Sequence, residues 1–168
     1  ERGRIAWVGN ELPERFAGAE RVELAPGAAL VPSFADTHMH FASFALFHSG
    51  LDVRSARGIP EIQQRLKEFA ARCRADMVVG FGASVHSVSE RRLITREELD
   101  AACPDRPVFI VKYDGHACLV NSKLISMLPS HISGLRGYHA DTGEMNQEAY
   151  FACTDFVTNA IPPDRKST

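Results

Sequence analysis

No stretch of this sequence approaches the roughly 20 consecutive apolar residues that a bilayer-spanning helix requires. The longest near-continuous apolar run is Phe41-Ala42-Ser43-Phe44-Ala45-Leu46-Phe47, so neither a transmembrane helix nor a membrane partner is expected. Basic charge is not in surplus. Lys and Arg number 19 against 21 Asp and Glu, a formal charge of −2, and no basic stripe stands out. Nucleic acid is therefore not an expected partner. Phosphate-cradling motifs are missing too. Gly80, Gly82 and Gly115 sit in no GxGxxG or Walker pattern and read as strand-end turns. The four cysteines, Cys73, Cys103, Cys118 and Cys153, are widely spaced and form no CxxC pair, which argues against a zinc knuckle. They are too sparse for a disulfide-stapled secreted domain. They read as buried thiols in a reducing, cytoplasmic compartment, with one disulfide pair left open. The opening Glu1-Arg2-Gly3-Arg4 carries no signal-peptide pattern. What is present is an ordinary globular balance, 45% hydrophobic and 24% charged over 168 residues. It suits one domain, or a core with a small appendage.

Short strands are expected first. Arg4-Ile5-Ala6-Trp7-Val8 ends at the turn signal Gly9-Asn10, and Arg21-Val22-Glu23-Leu24 stops at Pro26-Gly27. A more buried strand begins at Ala28-Ala29-Leu30-Val31 and resumes from Phe34 to Phe41 after Pro32-Ser33. Phe41 to Ser49 is aromatic-rich and reads as a short helix or packed loop. Pro60 then suits a first helical turn. Ile62, Leu66, Phe69, Ala70 and Cys73 recur at three- and four-residue steps, the spacing of one helix face. Met77 to Gly82 and Pro107 to Tyr113 read as buried strands. Thr95 and Glu98 fit a capping box, and Pro104 closes that helix. Asn121 can cap a helix through Met127. Residues 129–145 read as a loop or ragged hairpin, and Gln147 to Ala160 as a final helix stopped by Pro162-Pro163. Strands alternating with helices argue for a parallel sheet with covering helices.

The sharpest chemical signal is Asp36-Thr37-His38-Met39-His40. Side chains alternate along a strand, so His38 and His40 point the same way. Two imidazoles one pleat apart can converge on a single cation at roughly 2.0–2.1 Å each. The pair closes an apolar strand, which in parallel α/β folds is where sites lie. The alternative is two histidines that alternate by chance.

Val31-Pro32-Ser33-Phe34-Ala35-Asp36-Thr37-His38-Met39-His40 resembles the Pro-Gly-Phe-Ile-Asp-x-His-x-His signature of the amidohydrolase superfamily. Arg4 to Gly9 is similar to the strand of the small β domain in those enzymes. Thr95 to Val108 and Asp114 to Ser122 resemble one branch. It includes N-substituted formamide deformylases and proteins labelled exoenzyme regulators. Ser33 replaces the usual glycine and Ala35 a larger aliphatic residue, and neither change removes a ligand. Residues between Gly82 and Thr95 follow no family pattern.

The resemblance implies a partial (β/α)8 barrel over residues 30–168, preceded at residues 1–29 by part of a β-sandwich domain. It implies a divalent metal, with zinc expected and one or two ions in the whole enzyme, although imidazole ligands suit iron, nickel and copper as well. His38 and His40 would be the first two ligands. The metal would lower the pKa of an attacking water and polarise the scissile carbonyl of a small-molecule substrate. Glu148, in Gly143 to Ala149, is either a bridging carboxylate or an exposed glutamate favoured by a helix N-terminus. His116 follows a strand end and is either a substrate-binding residue near the metal or a loop histidine satisfied by backbone. His86, after a glycine-ended strand, either lines the barrel mouth or, the preferred reading, sits in a surface loop. His48, His131 and His139 read as structural or exposed, and Asp36 as a backbone-orienting carboxylate.

A full barrel needs about 250 residues, and the residues after Gly27 fall well short of that. The expected later histidines and the proton-handling aspartate are not found. The chain therefore reads as the N-terminal portion of a larger metal-dependent amidohydrolase acting on a C–N bond. Alone it would be inactive, expose a sheet edge and a helix-free face, and self-associate. Two other readings remain open at this point. One is a non-catalytic regulator on the same fold. The other is a complete small α/β binding module in which the paired histidines are coincidental.

Overall fold

The computed structural model describes residues 3–33, 35, 44–45 and 48–161. His38 and His40, with most of the expected strand from Phe34 to Phe41, lie outside the described residues. The chain divides into a unit of Glu1–His38 and a unit of Met39–Thr168.

The described residues of the first unit form turns. Pro13 leads a single 3₁₀ turn, Glu14–Phe16, and the Trp7 indole donates to the Glu11 carbonyl at 3.0 Å. Ala25 to Ala28 is a tight turn closed at 2.9 Å. Pro26 and a left-handed Gly27, φ 81°, give it a type II form. The strands expected at Arg4–Val8, Arg21–Leu24 and Ala28–Val31 do not form among the described residues. The physical reason is a missing partner. Ile5, Val8, Val22 and Leu30 stay largely exposed, and an extended segment becomes a strand only when another pairs its backbone.

The second unit carries the regular elements: β1 (Leu51–Asp52), α1 (Ile59–Arg72), β2 (Val78–Ala83), α2 (Arg96–Ala102), β3 (Val108–Lys112), β4 (Ala117–Val120), α3 (Ser122–Ile125), β5 (Tyr138–His139), β6 (Glu144–Asn146) and α4 (Gln147–Ala160). A 3₁₀ turn, Ser130–Gly134, precedes β5. Among the described residues, no helix is long and apolar enough to cross a membrane.

The helices start and stop where their sequences dictate. Pro60 occupies the first turn of α1, and Ile59, Ile62 and Leu66 are its buried stripe. Each such side chain contributes about 1.5–3 kcal/mol on burial. Arg106, just before β3, donates to the carbonyls of Ala70, Cys73 and Ala75 at the end of α1. A cation there satisfies carbonyls that have no helical partner. At the start of α2, Thr95 accepts from the Glu98 amide while the Glu98 carboxylate accepts from the Thr95 amide, so both halves of the capping box are made. Asn121 caps α3, which ends at Ile125 rather than Met127.

Among the described residues, six strands form one sheet in the order β1-β2-β3-β4-β6-β5. β1, β2 and β3 are parallel. β4 was not expected as a strand; it returns antiparallel to β3, and β6 and β5 follow antiparallel in turn. The expected ragged hairpin at residues 129–145 is β5 and β6. The expected uniformly parallel sheet is therefore mixed. Neither face is bare among the described residues, contrary to the expected helix-free face. Val78, Val108, Ile110 and Leu119 pack with residues of α1 and α2. Val79, Phe109, Val111, Cys118 and Met145 pack with Ala149, Tyr150, Cys153 and Val157 of α4. This explains the near-continuous apolar runs of β2 and β3, whose alternate side chains are buried on opposite sides. The register also aligns strand ends. β6 is antiparallel to β4, which is antiparallel to β3, so β6 heads the same way as β3. The C-terminal ends of β1, β2, β3 and β6 share one edge.

Candidate functional site

Three side chains at that edge come from short sequence patterns. Asp52 ends β1 and Arg54 follows by two residues, so their side chains meet. The Asp52 carboxylate accepts from Arg54 Nε at 3.1 and 3.2 Å and from its terminal nitrogen at 2.8 Å. It also accepts the Arg54 amide at 2.9 Å. Hydrogen bonding to Arg54 holds the Asp52 carboxyl below its ordinary value, and the same contact raises the guanidinium. Phe81, at the end of β2, lies 6.0 Å below the Arg54 guanidinium, and its ring stacks with Tyr113 at 6.2 Å. Gly82 makes this approach possible. Its φ is 103°, and a Cβ there would overlap Arg54. Phe44 and His48 stack at 5.3 Å with planes 10° apart. Together Phe44, His48, Asp52, Arg54 and Phe81 line a hollow of about 180 Å³. A larger cavity, about 370 Å³ and mostly apolar, includes Met77 and Pro107 in its lining, at the opposite ends of β2 and β3.

Further along the candidate edge, Lys112 ends β3. Its ammonium lies 3.8 Å from Asp114 and 3.6 Å from Glu144. Sequence reasoning missed Asp52, Arg54, Lys112 and Glu144. The available signals were the alternating Asp-Val-Arg at residues 52–54 and a lone lysine closing an apolar strand.

His116 lies in the exposed turn between β3 and β4, at the expected edge, with its amide donating to Asp114 Oδ1 at 3.0 Å. Glu148 is in the first turn of α4, largely exposed, and faces Arg136 at 3.4 Å. The helix begins on strained backbone: Gln147 has φ 49°. Beside it, Asn146 Oδ1 is buried with no hydrogen-bond partner among the described residues. The structure places Glu148 and His116 at the same edge but in no common cluster. Among the described residues, no three His, Cys, Asp or Glu side chains come together as a metal site. A resident ion therefore does not fit the described donors by themselves. His86 sits in an exposed turn, its amide bonded to Ser84, and His131 and His139 are exposed. The cysteines are all free thiols, with Cys103, Cys118 and Cys153 buried.

Comparison with known proteins places this geometry. The family model described as "Amidohydrolase family" matches residues 24–134. The N-substituted formamide deformylase of Arthrobacter pascens is 30% identical over 132 residues, which is 75% of this chain and 24% of that protein. YtcJ of Bacillus subtilis (strain 168), named as an amidohydrolase, is 27% identical over 173 residues, covering 97% of this chain and 32% of that protein. The crystal structure of an uncharacterized metal-dependent hydrolase from Pyrococcus horikoshii OT3 aligns with a TM-score of 0.61 and 27% identity, over 80% of this chain and 26% of that one. The chain thus spans about a quarter to a third of the length of these relatives. With the family model covering well over half of the sequence, the chain belongs to the amidohydrolase family.

Proposed function

We propose that this chain forms part of a metal-dependent hydrolase that cleaves a carbon–nitrogen bond of amide or formamide type in a small-molecule substrate. Residues 1–29 are then part of an N-terminal β domain, and residues 30–168 the first portion of a (β/α)8 barrel. His38 and His40 are the first two ligands of a divalent ion, for which zinc is one of several metals that imidazole suits. Glu148 joins that ion only by leaving Arg136. His116 meets substrate at the strand-end edge.

The observation that carries this reading is the family match over residues 24–134, a span that contains both histidines and the edge turn at His116. The metal-dependent neighbour and the alignment of the C-terminal ends of β1, β2, β3 and β6 support it. The test is elemental analysis of the whole protein after zinc loading and dialysis, paired with turnover of simple formamides. The expected result is bound metal and turnover in the parent, and loss of both in the His38→Ala/His40→Ala double variant. Metal retained by the double variant would remove the histidines from the ligand set. Turnover by residues 1–168 alone would overturn the view that they form only part of the catalytic unit.

A further inference from the structure

Cys118 and Cys153 are nucleophilic groups in the core that the hydrolytic reading does not use. Side chains alternate along β4, and Cys118 points to the face of the sheet that α4 covers. On α4, Ala149, Cys153 and Val157 recur at four-residue steps, so one helix face turns all three toward the sheet. Both cysteines are fully buried in one cluster, and both are free thiols. They also meet. Burial, and then a hydrogen bond with the Cys153 side chain, hold the Cys118 thiol well above its ordinary value. The other two cysteines are placed differently. Cys103 packs on the opposite face of the sheet with α1 and α2, and its thiol donates to the Arg106 carbonyl at 3.9 Å. Cys73 is partly exposed at the end of α1.

A thiol buried in apolar surroundings is inert where it stands, so access has to come from a moving element. That element is α4. Among the described residues, no side chain caps its start and no basic residue lies in its last turn. By contrast, Arg106 closes the end of α1, and Thr95 and Asn121 cap α2 and α3. Helix ends without such partners open first. Opening of α4 carries Cys153 into water and leaves Cys118 on the sheet. We propose that Cys118 and Cys153 form a reversible disulfide site, oxidised by a peroxide, that locks α4 onto β4. The freed Cys153 thiolate attacks the peroxide O–O bond, which gives a sulfenic acid and one water. When α4 recloses, the Cys118 sulfur attacks the sulfenic sulfur. The S–S bond forms, and the Cys118 proton leaves with the sulfenic oxygen as a second water. Two thiols lose two electrons in all, and one peroxide is reduced to two waters. A covalent bond is shorter than the hydrogen bond it replaces, so oxidation draws α4 toward β4. Glu148 rides on the first turn of the same helix, so the link also fixes where that carboxylate stands at the rim. The lock needs neither metal nor substrate and stands apart from the hydrolytic reading.

The test is treatment of the full 168-residue chain with hydrogen peroxide, alkylation of the remaining thiols, and peptide mapping by mass spectrometry. The expected product is a linked Cys118–Cys153 peptide pair, lighter than the two free peptides by two hydrogens. Cys73→Ser removes the partly exposed thiol and should leave that link unchanged. Amide hydrogen exchange in α4 should slow by about tenfold or more on oxidation and recover with dithiothreitol. Mild urea that speeds α4 opening should speed the linking in step. Cys153→Ala should abolish both the link and the slowing. The mapping on the parent chain decides the matter even where that variant folds poorly. Sulfinic acid at either cysteine without a link, pairing through Cys73 or Cys103, or an oxidised chain whose α4 exchanges as fast as the reduced one would each overturn the proposal.

Discussion

Asn121 is tied to Val108 across the start of the β3–β4 hairpin: its Oδ1 accepts the Val108 amide at 3.0 Å. The same oxygen accepts the Leu124 amide at 3.0 Å, and Nδ2 donates to the carbonyls of Cys103 and Arg106 at 3.0 and 2.9 Å. Asn121 is fully buried, so all four bonds are made away from water. One side chain thus joins the end of α2, the entry to β3 and the start of α3. Asn121→Ala leaves two amides and the Cys103 carbonyl unpartnered and the Arg106 carbonyl with only the Cys103 thiol, and should cost about 3–5 kcal/mol. A urea denaturation midpoint that moves by only a few tenths of a molar would contradict this.

Arg106 closes α1 from outside the helix, using the carbonyls of Ala70, Cys73 and Ala75. A lysine reaches one or two of these but cannot span all three. Arg106→Lys should lower stability by about 1–2 kcal/mol. The loss should appear in hydrogen exchange as faster opening of the last turn of α1, with α4 unaffected. Uniform acceleration across both helices would mean that Arg106 acts on the whole core.

Acid should loosen α2 before the sheet. The Arg92 guanidinium, and then the Thr95 amide, hold the Glu98 carboxyl at about 2, down from an ordinary 4.5. A lowered folded-state value means that this stabilisation is complete above about pH 4.5 and is lost as the pH falls toward 2. Glu98→Gln should cost roughly 1 kcal/mol at neutral pH and flatten the stability profile across that window. A variant whose acid profile matches the parent would show that the capping box is not the acid-sensitive element.

Gly82 is where β2 passes Arg54. With φ 103° and no room for a Cβ, Gly82→Ala should destabilise by about 1–3 kcal/mol and push Arg54 off the Phe81 ring. Thermal unfolding gives the first effect. Chemical shifts of the Phe81 ring protons give the second, and shifts identical to the parent would refute it.

The elements legible in the sequence are those that carry their own boundary chemistry. Pro60, the Thr95–Glu98 box and Asn121 mark α1, α2 and α3 because a cap is a local interaction. β2 and β3 are legible because burial on both faces leaves an unbroken apolar run. The failures depend on partners. β4 is four buried residues that become a strand only by lying between β3 and β6. β1 has two residues, too few for any periodicity. The apolar run at Arg4–Val8 and the alternation at Arg21–Leu24 read as strands, yet no neighbour pairs with them among the described residues. The site divides the same way. His38 and His40 stand out from spacing as a candidate pair, and they lie outside the described residues. The meeting of Asp52 and Arg54 with Phe81 depends on β1 lying beside β2, which no local pattern states.

The β3–β4–β6 excursion has a consequence for how this sheet can change length. Each antiparallel step reverses the chain's heading, and two steps restore it. The detour is therefore invisible to whatever follows: α4 departs from the same rim it would have used had β3 led to it directly. The connections between α3 and β5 and between β5 and β6 can grow or shrink without shifting the rim where α4 begins. An odd number of reversals would send every subsequent element to the wrong side.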